Sequence, residues 1–154
     1  MDLNTLLKPD AVKVLSSVTS KKRLLQTLGE VAHTAYGLDA SETFAALQKR
    51  ENLGRTGVGN GVALPHARLS PVADMKGAFI LLENPVDFGS VDNRPVDIVF
   101  SLFAPTSPCV DHLKALALVS RTLRDQAFRS TLRANKDSST LYELLVGVQK
   151  MAVA

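Results

Sequence analysis

The segments GAFILLE, residues 77–83, and VDIVFSLF, residues 96–103, decide the fold class of this chain. Both are rich in β-branched and aromatic residues, and both are too short to form independent helices. We therefore predict that each is a strand buried in a sheet. A third, shorter strand is predicted over residues 62–64, between a glycine-rich stretch and Pro65.

Helical patterns lie on both sides of these strands. Apolar residues recur every three or four positions before and after them, and each pattern has a residue suited to cap a helix. Strands in the middle of a chain with helices at both ends predict an α/β domain of two or three layers, spanning residues 1–154 as one unit. The predicted helices cover residues 20–36, 39–53, 110–123 and a last segment capped by Ser138 or Ser139.

The composition narrows the class of protein further. Of 154 residues, 45% are hydrophobic and 21% are charged, which predicts a folded chain, and no apolar run is long enough for a membrane helix. The N-terminus lacks the pattern of an export signal, and a single cysteine allows no internal disulfide, so we expect a cytoplasmic protein without membrane insertion.

The net charge of +3 is too small and too dispersed to predict nucleic-acid binding. Four arginines come nearest to a basic cluster. Their spacing predicts positions on the polar faces of helices, and it leaves open the docking of an acidic partner protein. These residues are Arg121, Arg124, Arg129 and Arg133.

The stretch GRTGVGNGVALPHAR, residues 54–68, carries the strongest chemical signal. Glycines at this density allow backbone N–H groups to form a concave site for an anion such as phosphate. The stretch lacks the lysine of a P-loop and the strand–turn–helix context of a dinucleotide site. The predicted phosphate-binding residues are Arg55, Thr56, Gly57, Gly59, Asn60 and Gly61.

His66 follows the short predicted strand, so its ring is expected at the carboxyl end of that strand. A histidine with an ordinary pKa of about 6.5 is largely neutral at pH 7, and its free ring nitrogen can attack phosphorus without a separate base. The residues alone equally allow a turn histidine that only bonds to the glycine loop. A ring packed away from solvent with both nitrogens engaged would exclude the nucleophile.

Two further side chains are candidates for the same site. His112 lies in the first turn of a predicted helix, where the positive end of the helix attracts an anion and disfavours a protonated ring. Arg50 precedes the glycine stretch, and a guanidinium can bind two phosphoryl oxygens. Cys109 and His112 have a CxxH spacing, but such scattered residues do not predict a metal site, and no cofactor is expected.

Taken together, these residues resemble the EIIA domains of the fructose, mannitol and nitrogen-regulatory branch of the phosphotransferase system, and most closely its nitrogen-regulatory members. Order and spacing make the resemblance specific over most of the chain. Two positions depart from the family pattern: Arg55 stands where serine is usual, and Ala67 where glycine is common. The matching segments are residues 20–25, 48–68, 84–105 and 111–125.

The resemblance implies a central mixed β-sheet flanked by helices, and phosphorylation of His66 at Nε2 with Arg50 and His112 beside it. It also implies an HPr-like donor of the NPr type, which is charged from phosphoenolpyruvate through an Enzyme I. Regulatory targets such as a sensor kinase or a potassium transporter would then respond in nitrogen- or potassium-linked signalling.

Two other functions stay open at this stage. One is a sugar-specific EIIA that passes phosphate to an EIIB protein during uptake of fructose or mannitol. Because the chain ends at Ala154 without an EIIB domain, the stand-alone regulator is the expectation. The other is a non-catalytic module whose glycine loop binds an anionic metabolite.

Overall fold

The computed structural model describes residues 1–107 and 110–153 of the chain. Helices and strands alternate irregularly along it. In chain order they are α1 (Leu3–Leu6), a 3-10 turn (Pro9–Ala11), β1 (Val12–Leu15), α2 (Lys21–Tyr36), α3 (Ala40–Leu53), β2 (Gly57–Gly59), β3 (Val62–Ala63), β4 (His66–Arg68), β5 (Lys76–Val86), β6 (Val96–Ala104), α4 (Val110–Arg124), α5 (Gln126–Ala134) and α6 (Ser138–Val153).

The six described strands form one mixed sheet in the order β1-β5-β6-β3-β2, and β4 pairs with β6 as well. At its centre β5 and β6 are antiparallel, with Phe79 opposite Phe100. The strand β1 runs parallel to β5, while β3 and β4 both run parallel to β6. The predicted fold class, an α/β domain with a mixed sheet flanked by helices, is confirmed.

The two central strands are buried along most of their length because helices cover both faces of the sheet. This is why their sequences are continuously apolar rather than alternating. The rings of Phe79 and Phe100 meet edge to face with centroids 6.2 Å apart, an arrangement that aromatic pairs prefer. The core therefore fixes the position of β6, and β4 pairs with β6.

The ends of the helices follow capping chemistry. Ser20 accepts a hydrogen bond from the Arg23 N–H, and Gly37 ends α2 with φ +72°, as predicted. Asp39 caps α3 in the same way. The last helix is present as predicted, but its predicted cap is wrong, because the carboxylate of Asp137, and not Ser138 or Ser139, accepts the Thr140 N–H at 3.0 Å.

Five elements have no counterpart in the sequence-based prediction: α1, β1, β2, β4 and α5. The first four have only three or four residues, so their periodicity gives little signal. The helix α5 begins where Asp125 caps two backbone N–H groups. The expected polar face does not hold for Arg129, which belongs to α5 and is only 8% exposed. Among the described helices, none has the length and apolar character needed to cross a bilayer.

Candidate functional site

A pocket of ≈ 430 Å³ lies where the last turn of α3, the strand β4 and the first turn of α4 meet. It brings together three of the predicted site residues, Arg50, His66 and His112. The backbone of α3 packs against β4, and the pairing of β4 with β6 fixes the position of the histidine strand. The full set of lining residues is Ala46, Lys49, Arg50, Leu53, His66, Ala67, Arg68 and His112.

His66 is held in one tautomer. Its Nδ1 lies 2.9 Å from the carbonyl oxygen of Leu64, and a carbonyl can only accept, so Nδ1 carries the proton. The Nε2 atom of the neutral ring therefore carries an unprotonated lone pair. His66 begins β4 opposite Leu102, instead of following a strand over residues 62–64, because the chain leaves β3 at Ala63 and pairs again with β6 three residues later.

Both nitrogens of His66 have neighbours, yet the ring remains reachable. The Arg50 Nε donates to Nε2 over 3.2 Å, and the Arg50 NH1 donates to the carbonyl oxygen of Gly54 over 2.9 Å. The imidazole is half-buried and lines the open pocket, so it is not packed away from solvent. An arginine hydrogen bond to the lone pair is also exchangeable, because an incoming anion competes for the guanidinium.

His112 lies edge-on to His66, with ring centroids 5.6 Å apart and an interplanar angle of 75°. Its Nε2 is buried and has no hydrogen-bond partner among the described residues. A buried ring nitrogen without a partner is costly, so this atom is available for a ligand in the pocket.

The site favours neutral histidines. Burial lowers the pKa of His66 below 6.5, and the positive charge of Arg50 adds to that effect, while the hydrogen bond from Nδ1 to Leu64 opposes it. Burial also lowers the pKa of His112, with contributions from His66 and from Arg68. The pocket thus combines basic side chains with an unprotonated nitrogen, as an anion-binding nucleophile requires.

We expect folding stability to fall as the pH drops below about 6.5. The unfolded chain protonates these histidines near that ordinary value, whereas the folded chain resists protonation until lower pH, so acid favours the unfolded state. Urea unfolding between pH 7.5 and 5 and an NMR titration of the imidazole carbons test this. A folded-state midpoint for His66 above 6.5 would contradict the assignment of its environment.

The glycine segment, residues 55–61, does not line this pocket. The N–H and hydroxyl of Thr56 donate to the carboxylate of Glu51, and the Asn60 N–H donates to Asp92 over 2.9 Å. Gly57 and Gly59 form the strand β2, and Asn60 and Gly61 form the turn into β3. Arg55 is exposed and lies outside the set of residues that line the pocket. The role of these residues in binding phosphate stays a prediction.

Sequence reasoning missed Lys49 and Arg68, although signals for both were present. Alternate residues of a strand share a face, so Arg68 points to the same side as His66. Residues three or four apart share a helix face, which places Ala46 beside Lys49 and Arg50. No group of three or more potential metal ligands occurs within the described residues, which do not include Cys109.

Comparison with known proteins agrees with this geometry. A nitrogen regulatory protein from Bradyrhizobium diazoefficiens is 43% identical over 145 residues, which cover 94% of this chain and 95% of the relative. The crystal structure of the nitrogen regulatory protein IIA-Ntr from Neisseria meningitidis superposes with a TM-score of 0.86 at 31% identity, covering 93% of this chain and 98% of that one.

A relative named for sugar transport is more distant. The fructose-specific EIIA component of the phosphotransferase system from Haloferax volcanii is 27% identical over 148 residues, covering 96% of each chain. The family model described as EIIA 2 of the phosphoenolpyruvate-dependent sugar phosphotransferase system matches residues 5–147. The chain therefore belongs to the EIIA 2 family of this phosphotransferase system.

Proposed function

We propose that this chain is a phosphocarrier in which Nε2 of His66 accepts a phosphoryl group from an HPr-like protein of the NPr type. The observation that carries the proposal is the lone pair on that nitrogen, which the hydrogen bond from Nδ1 to Leu64 keeps unprotonated and which accepts an exchangeable hydrogen bond from Arg50 in a basic pocket. The protein is expected to act in the cytoplasm, where phosphoenolpyruvate supplies the upstream Enzyme I.

The transfer step uses the groups already in place. The Nε2 lone pair forms a bond to phosphorus while the bond to the donor breaks, and the donor's leaving atom keeps that electron pair. The proton on Nδ1 stays with the ring, where the carbonyl of Leu64 stabilises the positive charge that develops. Phosphoryl transfer depends on positioning and charge stabilisation, and the pocket offers both.

Arg50 and His112 stabilise the transferred group in this proposal. The guanidinium of Arg50 exchanges its bond to Nε2 for bonds to phosphoryl oxygens. The neutral ring of His112 donates from Nε2, the atom that has no partner among the described residues. Lys49 and Arg68 add positive charge at the rim of the pocket, which favours an anionic group.

The pocket mouth suits a protein donor better than a small substrate. Leu53 is 81% exposed at the end of α3 and Leu113 is 72% exposed next to His112. Large apolar side chains around a polar centre are typical of protein contact surfaces. A phosphoryl group in the pocket changes the local charge by about −2, so partner proteins can distinguish the two forms.

We assign the carrier to nitrogen-linked regulation, because its similarity to a protein named for that role exceeds its similarity to a fructose-specific component. Targets such as a sensor kinase or a potassium transporter are the expected partners of such a regulator. The second candidate is a sugar-specific EIIA, which would pass the group on to an EIIB protein. Adding an EIIB protein to the labelled carrier separates the two, because only the second predicts rapid loss of label to it.

Replacing Arg50 by alanine is expected to slow phosphorylation roughly 100-fold, since the loss of one preorganised donor to a transition state commonly has that effect. The variant Arg50→Lys keeps the charge but loses the planar fork, so it should be intermediate. His112→Ala is expected to slow transfer roughly tenfold. The measurement is the rate of label uptake from a limiting HPr-like donor, and unchanged rates in both alanine variants would remove these residues from the mechanism.

A further inference from the structure

A second cleft, of ≈ 440 Å³, lies beneath α5 and shares no lining residue with the pocket of His66. We call it the arginine cleft, because Arg94, Arg129 and Arg133 line it together with a single carboxylate, that of Asp97. We propose that the arginine cleft binds the phosphate group of a small phosphorylated molecule.

Arg129 is the first reason. It is 8% exposed, and among the described residues its hydrogen bonds run only from NH1, to the carbonyl oxygens of Leu123 at 3.0 Å and Arg124 at 2.7 Å. Its buried Nε has no partner among those residues. A buried guanidinium whose hydrogen bonds come from one nitrogen only is unfavourable, and an anion in the cleft would compensate its charge.

The charge of the cleft is the second reason. Three arginines face one carboxylate, so the lining carries a net charge of +2. The carboxylate of Asp97 is already used, because Arg133 binds it through Nε and NH2, each at 2.9 Å. The charge of Arg129 has no carboxylate partner in the cleft, and the guanidinium of Arg94 interacts with Asp92 only through the field of its charge, without a side-chain hydrogen bond among the described residues. Planar guanidinium groups match the oxygens of a phosphate.

The backbone of the glycine segment closes one wall of the cleft. The Arg133 NH2 donates to the Asn60 carbonyl over 2.8 Å. A Cβ atom on Gly61 would lie 2.5 Å from that NH2 and 2.8 Å from Asp97, and Gly61 has φ +78°, so only glycine fits. Two residues predicted from sequence to bind phosphate, Asn60 and Gly61, thus line this cleft instead of the His66 pocket.

The test is a titration of the uniformly ¹⁵N-labelled, unphosphorylated protein with inorganic pyrophosphate, at an ionic strength held constant with sodium chloride. We expect saturable amide shifts at Gly61, Arg94 and Ser130. The variant Arg94→Gln removes one exposed charge of the cleft and should weaken binding roughly tenfold, the effect of losing one charge-assisted contact. Arg129→Gln should weaken it as well, but that change also removes the bonds to α4, so Arg94→Gln is the deciding variant.

Arg121→Gln is the matched control, since Arg121 is an exposed arginine of α4 outside the cleft and its loss changes the net charge equally. Its affinity for pyrophosphate should equal that of the unaltered chain. Three results would overturn the proposal: shifts that never saturate, equal weakening by Arg94→Gln and Arg121→Gln, or shifts centred on Arg50 and Arg68. The last result would place the anion in the His66 pocket.

Discussion

Replacing His66 by alanine is expected to abolish phosphorylation while the fold is retained. The Leu64 carbonyl accepts the Nδ1 proton of His66 and so leaves Nε2 as the nucleophile. The ring of His112, the other histidine that lines the pocket, makes no such bond among the described residues, so we do not expect it to replace His66. The side chain is half-buried at a pocket and contributes little to the core, so unfolding should shift only slightly. Intact-protein mass spectrometry after incubation with phosphoenolpyruvate, Enzyme I and an HPr-like donor measures the adduct.

The control is His33→Ala. His33 is an exposed histidine of α2 outside the pocket, and its Nδ1 contacts the Leu38 carbonyl at 3.0 Å. This variant should gain the same adduct as the unaltered chain, about 80 Da for one HPO₃ group. A labelled His66→Ala chain would refute the assignment, and an unlabelled unaltered chain would instead favour the non-catalytic binding module.

Much of the fold was predictable because its signals are local. The apolar runs at the centre of β5 and β6, together with the caps of α2 and α3, depend on residues within one or two turns of each other. The convergence of Arg50, His66 and His112 was predicted through the family pattern. Its geometry follows from pairings that cross long stretches of chain, such as β4 with β6.

The role of the glycine segment was not predictable, because distant residues decide it. Asp92 binds the Asn60 N–H across 32 positions, and Arg133 binds the Asn60 carbonyl across 73. Glycine density indicates that a backbone approaches something closely, but it does not tell which group. Here carboxylates take two of the N–H groups that a phosphate was expected to contact, those of Thr56 and Asn60.

Glu51 was likewise overlooked, since a glutamate near the end of a helix resembles an ordinary surface residue. Its side chain is only 2% exposed, and its carboxylate accepts hydrogen bonds from Lys21 at 3.1 Å and from the N–H and hydroxyl of Thr56. These bonds fix the turn that contains Gly54, whose carbonyl in turn holds Arg50. The buried carboxylate is thus connected to the nucleophile through the arginine.

Glu51→Ala is expected to lower the free energy of unfolding by about 3 kcal/mol, because the Thr56 donors lose their partner in a buried place and Lys21 loses its counter-charge. The ammonium of Lys21 is 30% exposed and can reach water, which keeps the loss at the low end of the range for broken buried pairs. Glu51→Gln keeps one acceptor and should cost less. Urea unfolding curves at pH 7 give the free energy of unfolding of the unaltered chain and of both Glu51 variants.

The matched control is Glu30→Ala, which removes the pair between Glu30 and Arg23 at 3.3 Å, where both side chains are about half exposed. An ion pair in water contributes little, so this variant should stay within about 0.5 kcal/mol of the unaltered chain. Glu51→Gln should in addition phosphorylate more slowly, because a looser Gly54 turn no longer holds Arg50 where it can bind the phosphoryl oxygens. Equal stability of Glu51→Ala and Glu30→Ala would show that the buried carboxylate does not hold this turn, and the connection from Glu51 to His66 would fail with it.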